Sequence, residues 1–592
     1  MKQFFLTLAG VFAGLLLFFV GLPILLVVWA VAAAQPEGAP PNAVLELDLR
    51  QPLTDQDAQT PFAAFSGDLS VMRVVRTLER AGGDANVRGV VIRLPETGME
   101  PAAAEEIRLA VRAFRGRGKF VLAHSQGLYQ SGMVASTYML GAAADQFWMQ
   151  DGAPFQATGA AAEELFLNGF FERYGITADY QQRYEFKNAA NAFTQSDYTP
   201  EHRAATLGWL GSVYGNALSL AASDRRQSPQ ALRATFEAGP HSAAEARTRG
   251  LVDRIGSVAE LEAEARRRAG AAADAELTDF TDYAQGNEDE AGTGPAVAVV
   301  TAEGAILTGT AEESPFATAS DIRSDDVAEA FHEAIENDDV RAIVFRVSSP
   351  GGSDVASEQI LQAVRAARAA GKPVVVSMGT YAASGGYWVA SGANAIVAQP
   401  STLTGSIGVF GGKLAIDGAL NRFGLNLSGV SVGGPFASAY AAGEPFTEAQ
   451  RAEFSEWMDR IYATFVQRVA TGRRLDPARV QQIARGRVWT GAQARQLGLV
   501  DELGGLPQAV ARARREARIA EGTTTRLMWI DAEPGFWESL GGAMSGSETA
   551  LRALSAIAGV AGDPRAQLLL DRAAEARLRE RGAMVLAPRV AG

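Results

Sequence analysis

A serine at the end of a predicted strand, set among small residues, is the first feature with chemical content. Gly379-Thr380-Tyr381-Ala382-Ala383-Ser384-Gly385-Gly386-Tyr387 follows a predicted strand Val374–Ser377 and precedes a predicted helix through Trp388–Ala390. A strand-to-helix turn of this kind exposes the hydroxyl and sets the next N–H, that of Gly385, beside an attacked carbonyl. The segment is not a G-x-S-x-G match, and taken alone a plain loop serine is the simpler reading. A second candidate is Ser348-Ser349-Pro350-Gly351-Gly352-Ser353, between the predicted strand Ala342–Val347 and a helix. Two glycines at the end of a parallel strand let a backbone approach a ligand and leave N–H groups free for an anion. No Lys-Ser/Thr follows, so it is not a nucleotide-binding P-loop, and taken alone a plain Gly-Gly turn between strand and helix is the simpler reading.

A nucleophilic serine needs a base. The chain has 592 residues, no cysteine and four histidines. The missing cysteine excludes thiolate nucleophiles, disulfides, iron–sulfur clusters and cysteine-ligated zinc. No H-E-x-x-H occurs, and no metal or cofactor is expected. His332 falls within a predicted helix, His202 at a helix start and His241 in a turn; only His124, at a strand end, has a context open to catalysis. Lysine is the other base that works with serine, once burial lowers its pKa. There are only five: Lys2, Lys119, Lys187, Lys372 and Lys413. Lys2 flanks an apolar N-terminal stretch. Lys119 and Lys372 each follow a glycine just before a strand and read as structural. Lys187 and Lys413 remain.

The elements that must position these groups come in two copies. Ala43–Leu47 and Ala296–Val300 are strand-like runs 253 positions apart, and Val87–Arg93 matches Val340–Arg346 at the same offset. Gly118-Lys119 matches Gly371-Lys372, and Ala144–Met149 matches Ala393–Ala398 after a four-residue indel. Short β-branched runs alternate with Ala-rich helices, such as Ser320–Asn337 and Val355–Ala369, which predicts an α/β fold with a parallel sheet in each copy. The expected layout is an anchor at 1–42, a first repeat at 43–285, a linker at 286–294, a second repeat at 295–530 and an extension at 531–592. The extension carries a helix near 566–581 whose role the sequence leaves open. The repeat partner of Ser384 is Ala135, and that of Lys187 is Ala437. One copy keeps the lysine and the other the serine, the pattern of a dyad assembled across the domain boundary.

Phe4 to Ala34 runs 31 positions without a charge. As a helix it is about 46 Å long, against a hydrocarbon core of roughly 30 Å. That is long for a cleaved signal, although Ala32-Ala33-Ala34 resembles a cleavage site. Lys2 before the span and Glu46 and Asp48 after it orient the N-terminus to the cytoplasm and export the bulk of the chain. The net charge of −13 argues against a nucleic-acid partner.

The chain resembles the signal peptide peptidase A family, in its long, tandem-domain, membrane-anchored Gram-negative form. The resemblance covers roughly residues 1–530. It rests on Ser349-Pro350-Gly351-Gly352, Tyr381–Tyr387, Thr404-Gly405-Ser406-Ile407-Gly408-Val409 and the Lys187 segment. It implies two ClpP/crotonase-like domains and a Ser/Lys protease, with Ser384 as nucleophile and Lys187 as general base. It further implies an oxyanion hole from the N–H groups of Gly352 and Gly385, and Ser406 placed to orient the lysine. Implied partners are the membrane, remnant signal peptides and other apolar peptides, and three further copies in a homotetramer. The implied location is the inner membrane, with the catalytic domains in the periplasm. Asn188-Ala189-Ala190 departs from the Ser-Ala that the family pattern places after the lysine. Three other readings stand beside it: a non-catalytic scaffold of the same fold, a crotonase-type acyl-CoA enzyme, and a hydrolase using a histidine or Lys413 as base.

Overall fold

The computed structural model describes residues 39–57, 69–285, 294–311 and 321–530, the backbone of 584–586, and Gly14. The expected membrane span at 4–34, the linker up to residue 293 and the helix near 566–581 lie outside the described residues. Among the described residues, no helix is long and apolar enough to cross a membrane.

Each half of the chain builds a sheet whose central strands are parallel. In the first, the spatial order is Arg254–Ile255, Gln146–Met149, Phe120–Ser125, Val87–Arg93, Ala43–Asp48, Thr278–Asp279. In the second it is Val488–Thr490, Leu403–Gly405, Val374–Ala383, Val340–Ser349, Ala296–Glu303, Arg526–Ile530, with Ala395–Ala398 also pairing Val374–Ala383. The registers repeat at the sequence offset. Val44 pairs with Gly89 and Val297 with Ala342, each next to a shift at the preceding residue. The two glycine-lysine turns repeat as well. Lys119 Nζ donates to the carbonyls of Asp84 and Val87, and Lys372 Nζ donates to those of Ala334 and Asn337.

Alternation along the buried strands sends side chains to both faces. Ala298 and Val300 pack with Val327, Phe331, Ile360 and Val364 on one side. Val297, Val299 and Val344 pack with Leu506, Ala509 and Ala513 on the other. Helix Asp354–Ala369 starts at Ser353, whose side chain accepts from the Ala356 N–H, and buries Ile360, Leu361, Val364 and Ala367. That i, i+4, i+7 stripe is what a helix covering a sheet requires.

A buried ion network joins the halves. Arg346, from the second-sheet strand that leads to Ser349-Pro350, is fully buried. Its Nε lies 2.8 Å from Asp55 Oδ2 and one terminal nitrogen 2.9 Å from Glu106 Oε2, both in the first half. A second terminal nitrogen lies 3.0 Å from Ser377 Oγ. A buried guanidinium is tolerable only with its donors satisfied this way, and removing one partner strands a charge. Glu105 also crosses, accepting from the Ser401 N–H and Oγ–H. Burial nonetheless pushes its carboxyl up to about 7.

Two local expectations need correcting. Strand Val374–Ser377 continues to Ala383, because Tyr381, Ala382 and Ala383 find partners in Leu403, Thr404 and Gly405. Gly351–Ser353 is not a simple turn but a strand of a third sheet. Gly352 pairs with Ile306 there, and a Cβ on it would lie 2.1 Å from the Ile306 carbonyl oxygen. Glycine at this place serves a close backbone approach.

Candidate active site

The extended strand delivers Ser384 directly to the start of helix Gly385–Ala390. The Ser384 N–H donates to the Gly405 carbonyl at 2.8 Å, and its own carbonyl accepts from Trp388 N–H at 2.9 Å. Between these constraints Ser384 takes φ 59° and ψ −116°, a conformation that costs a non-glycine residue about 1–3 kcal/mol. The surroundings hold it there. A Cβ on Gly385 would stand 2.7 Å from Ser357 Oγ and 3.0 Å from the Gly352 nitrogen, and one on Gly386 would stand 2.8 Å from the Ser349 carbonyl oxygen. Gly352 and Gly385 therefore face one another with room for backbone only.

Lys187 arrives from the first half on an arm. Thr177–Gln182 pairs antiparallel with Phe410–Ala415, from Thr177 opposite Ala415 to Gln182 opposite Phe410. The arm continues with the Arg183 N–H on the Val409 carbonyl and the Phe186 N–H on the Arg485 carbonyl. Lys187 is only 1% exposed. Its Nζ lies 2.6 Å from Ser384 Oγ, 3.0 Å from Ser406 Oγ and 3.1 Å from the Ser406 carbonyl oxygen. Ser406 is held at φ 50° with its N–H on the Arg487 carbonyl. Burial pushes the Lys187 ammonium well below the ordinary lysine value, because an ion taken out of water favours its neutral form.

A neutral amine can accept the proton that Ser384 Oγ–H donates, and the resulting ammonium can donate to the Ser406 oxygens. The geometry thus brings together Lys187, Ser384 and Ser406, with Gly352 and Gly385 alongside. It places the other candidate bases elsewhere. Lys413 Nζ donates to the Ala441 carbonyl and lies 4.8 Å from the Phe446 ring centre. His124 Nε2 is 3.0 Å from the Gly256 carbonyl, His202 Nε2 is 3.0 Å from Glu164, and His241 Nε2 is 2.8 Å from the Thr235 carbonyl. His332 is exposed on helix Ser324–Glu336. Directly after Lys187, Asn188–Ala190 forms a 3-10 turn with Asn188 buried. Among the described residues, no group of three or more His, Cys, Asp or Glu could hold a metal ion.

The sequence does not show that Gly408, within the Thr404–Val409 block, and Gly486 both pack against Lys187. A Cβ on Gly408 would lie 3.2 Å from Lys187 Cδ, and one on Gly486, at φ +80°, would lie 2.4 Å from Lys187 Cβ. Nothing near Gly486 in the sequence marks it, since the residue it accommodates is about 300 positions away. Gly486→Ala is expected to push the lysine off its hydrogen bond and lower kcat about 100-fold with little change in KM. Steady-state kinetics on a peptide ester test this, and near-normal kcat would show that the lysine tolerates the displacement.

Comparison with known proteins gives the same direction. The family model for "Peptidase family S49" matches residues 113–272 and 366–520, one stretch in each half. The chain is 34% identical over 496 residues to "Protease 4" of Salmonella typhi, covering 81% of this chain and 77% of that one. It is 30% identical over 461 residues to "Protease 4" of Haemophilus influenzae, covering 76% and 73%. It is 27% identical over 524 residues to "Serine protease SPPA, chloroplastic" of Arabidopsis thaliana, covering 87% and 75%. Matched by the family model in both halves and aligned with these proteases over most of its length, the chain is a serine peptidase and belongs to peptidase family S49.

Proposed function

We propose that this peptidase is a membrane-anchored endopeptidase in which Ser384 is the nucleophile and Lys187 the general base. The observation that carries the reading is the buried Lys187 amine 2.6 Å from Ser384 Oγ, contributed by the other repeat. In the first step Ser384 Oγ attacks the scissile carbonyl and passes its proton to Lys187 Nζ. The N–H groups of Gly352 and Gly385 receive the oxyanion, and Ser406 holds the lysine in line. The ammonium then gives its proton to the leaving amine, and water hydrolyses the acyl-enzyme with the lysine again as base.

The substrate class follows the relatives and the uncharged stretch at residues 4–34. Held at the inner membrane with its catalytic repeats in the periplasm, the enzyme degrades the apolar signal peptides left after preprotein cleavage. We assign it to a homotetramer. The strongly exposed Phe423, Leu425, Val430 and Val432 offer an apolar surface for that assembly. The test uses membranes holding the full chain, a serine-directed acylating probe and a synthetic signal peptide. The probe is expected to label Ser384 and to block cleavage of the peptide within its apolar stretch. Equal labelling of Ser384→Ala, or cleavage that survives full labelling, would overturn the reading.

A further inference from the structure

One arginine beside the site has no counter-charge. Arg487 follows Gly486, the glycine packed against Lys187, and its carbonyl accepts the Ser406 N–H at 2.8 Å. Its side chain lies between two rings. The guanidinium carbon is 5.0 Å from the ring centre of Phe186, the residue before Lys187, and 4.4 Å from that of Trp489. Nearby arginines are paired: Arg183 with Asp459, and Arg485 with Glu185. Among the described residues, no hydrogen bond or ion pair reaches the Arg487 guanidinium. Helix Pro200–Arg225 turns a glycine toward it, since a Cβ on Gly208 would lie 3.7 Å from one terminal nitrogen.

A guanidinium stacked by its faces keeps its N–H edge for a planar anion. Burial lowers the Arg487 pKa from the ordinary arginine value, yet arginine stays charged, so a half-buried one without a partner is poised for a carboxylate. The side of the cleft names which carboxylate. The group that takes the serine proton later gives it to the leaving amine, so it stands on the leaving-group side of the scissile bond. Lys187 marks that side, and Gly352 and Gly385 mark the place of the oxyanion. Arg487 sits with the lysine: it stacks on Phe186, follows Gly486 and supports Ser406. That is where a bound peptide runs toward its carboxyl end.

We propose that Arg487 binds the terminal carboxylate of the substrate, so that the enzyme selects peptides with a free carboxyl end and cuts at a fixed distance from it. This rests on the Ser384/Lys187 reading and on the signal-peptide substrate above. Cleavage of a preprotein is a hydrolysis, and it leaves a carboxylate at the end of the remnant. In the uncut preprotein the same carbonyl is an amide, which offers the guanidinium no charge. Arg487 thereby separates remnants from intact preproteins that share their apolar sequence. Each turnover continues the process. Water hydrolyses the acyl-enzyme and leaves a carboxylate on the longer fragment, which is again a ligand for Arg487, so the peptide shortens stepwise from its carboxyl end.

The test uses the full chain in detergent and two apolar peptides of one sequence, one ending in a carboxylate and the other in a carboxamide. The wild type is expected to hydrolyse the carboxylate form with a kcat/KM about 10- to 100-fold higher, the range of a hydrogen-bonded ion pair. Arg487→Met keeps an apolar stem between the rings and is expected to treat the two peptides alike. Arg487→Lys, which has the charge without the fork, should fall between them. Lengthening the peptide at its amino end should leave the wild-type cut, read by mass, at the same distance from the carboxyl end. An arginine that only packs Phe186 against Trp489 would change both peptides equally. Equal hydrolysis of the two by the wild type, or a preference that survives in Arg487→Met, would overturn the proposal and leave the dyad reading in place. Cleavage of both by Ser384→Ala at the wild-type rate would overturn the dyad reading and the proposal with it.

Discussion

Ser384→Ala is expected to lower kcat/KM for peptide or ester hydrolysis by about 10⁴-fold or more, and Lys187→Ala by a similar factor. Each variant removes one side of a single proton transfer. Without the hydroxyl there is no acyl-enzyme; without the amine a buried serine keeps its proton. The two act as a unit, so the double variant should be no worse than the worse single one. Neither change should dissolve the fold. Ser384 is small and sits on a strand end held by backbone bonds to Gly405 and Trp388. Lys187→Ala removes an amine that burial makes costly, while the arm at Thr177–Gln182 keeps its six register partners in Phe410–Ala415. Lys413→Ala is the control, since its ammonium donates to Ala441 instead. Hydrolysis and thermal unfolding measured on the same samples decide the matter. Near-normal turnover in Lys187→Ala, with loss in Lys413→Ala, would refute the cross-repeat dyad.

The second large effect is on pH. Lysine serves as a base only when neutral, and burial pushes the Lys187 pKa well below its ordinary value. Below that lowered pKa the neutral fraction, and with it kcat/KM, should rise tenfold per pH unit. Above it the profile should level. Across two units on the acid side the change is about 100-fold. An ordinary exposed lysine would place the same limb near pH 10.4, so a plateau reached well before that value is the signature of the buried base. The check is kcat/KM from pH 5 to 10 on a substrate whose acylation limits the rate. A flat profile over that range would mean that Lys187 does not carry the proton.

Much of this site is legible in the sequence because the chain is sparing with its bases. Five lysines and four histidines allow candidates to be taken one at a time. The repeat offset then places Ser384 opposite Ala135 and Lys187 opposite Ala437. The alternation of β-branched strands and Ala-rich helices is equally readable, since burial of a strand or a helix stripe is a local pattern. What escapes is any element made by a distant partner. Tyr381–Ala383 reads as loop, yet it is strand because Leu403–Gly405 lies beside it. Gly351–Ser353 reads as a turn, yet it carries the sheet that receives Met584–Leu586. Gly486 has no motif, because the side chain that needs its missing Cβ is Lys187.

By itself, the sequence determines the chemical inventory: which nucleophile and bases exist, that two related α/β units follow an uncharged N-terminal stretch, and that neither unit holds both members of the pair. Only the tertiary structure decides that the two meet. Antiparallel pairing of Thr177–Gln182 with Phe410–Ala415 crosses more than 200 residues, and the Arg346–Asp55–Glu106 network locks the halves behind it. The low pKa of Lys187 is likewise a property of the packed site, since desolvation arises when both repeats close around the amine. Local patterns record which face of an element is buried. They do not record what buries it, and here that partner closes around Lys187, the residue proposed as the base.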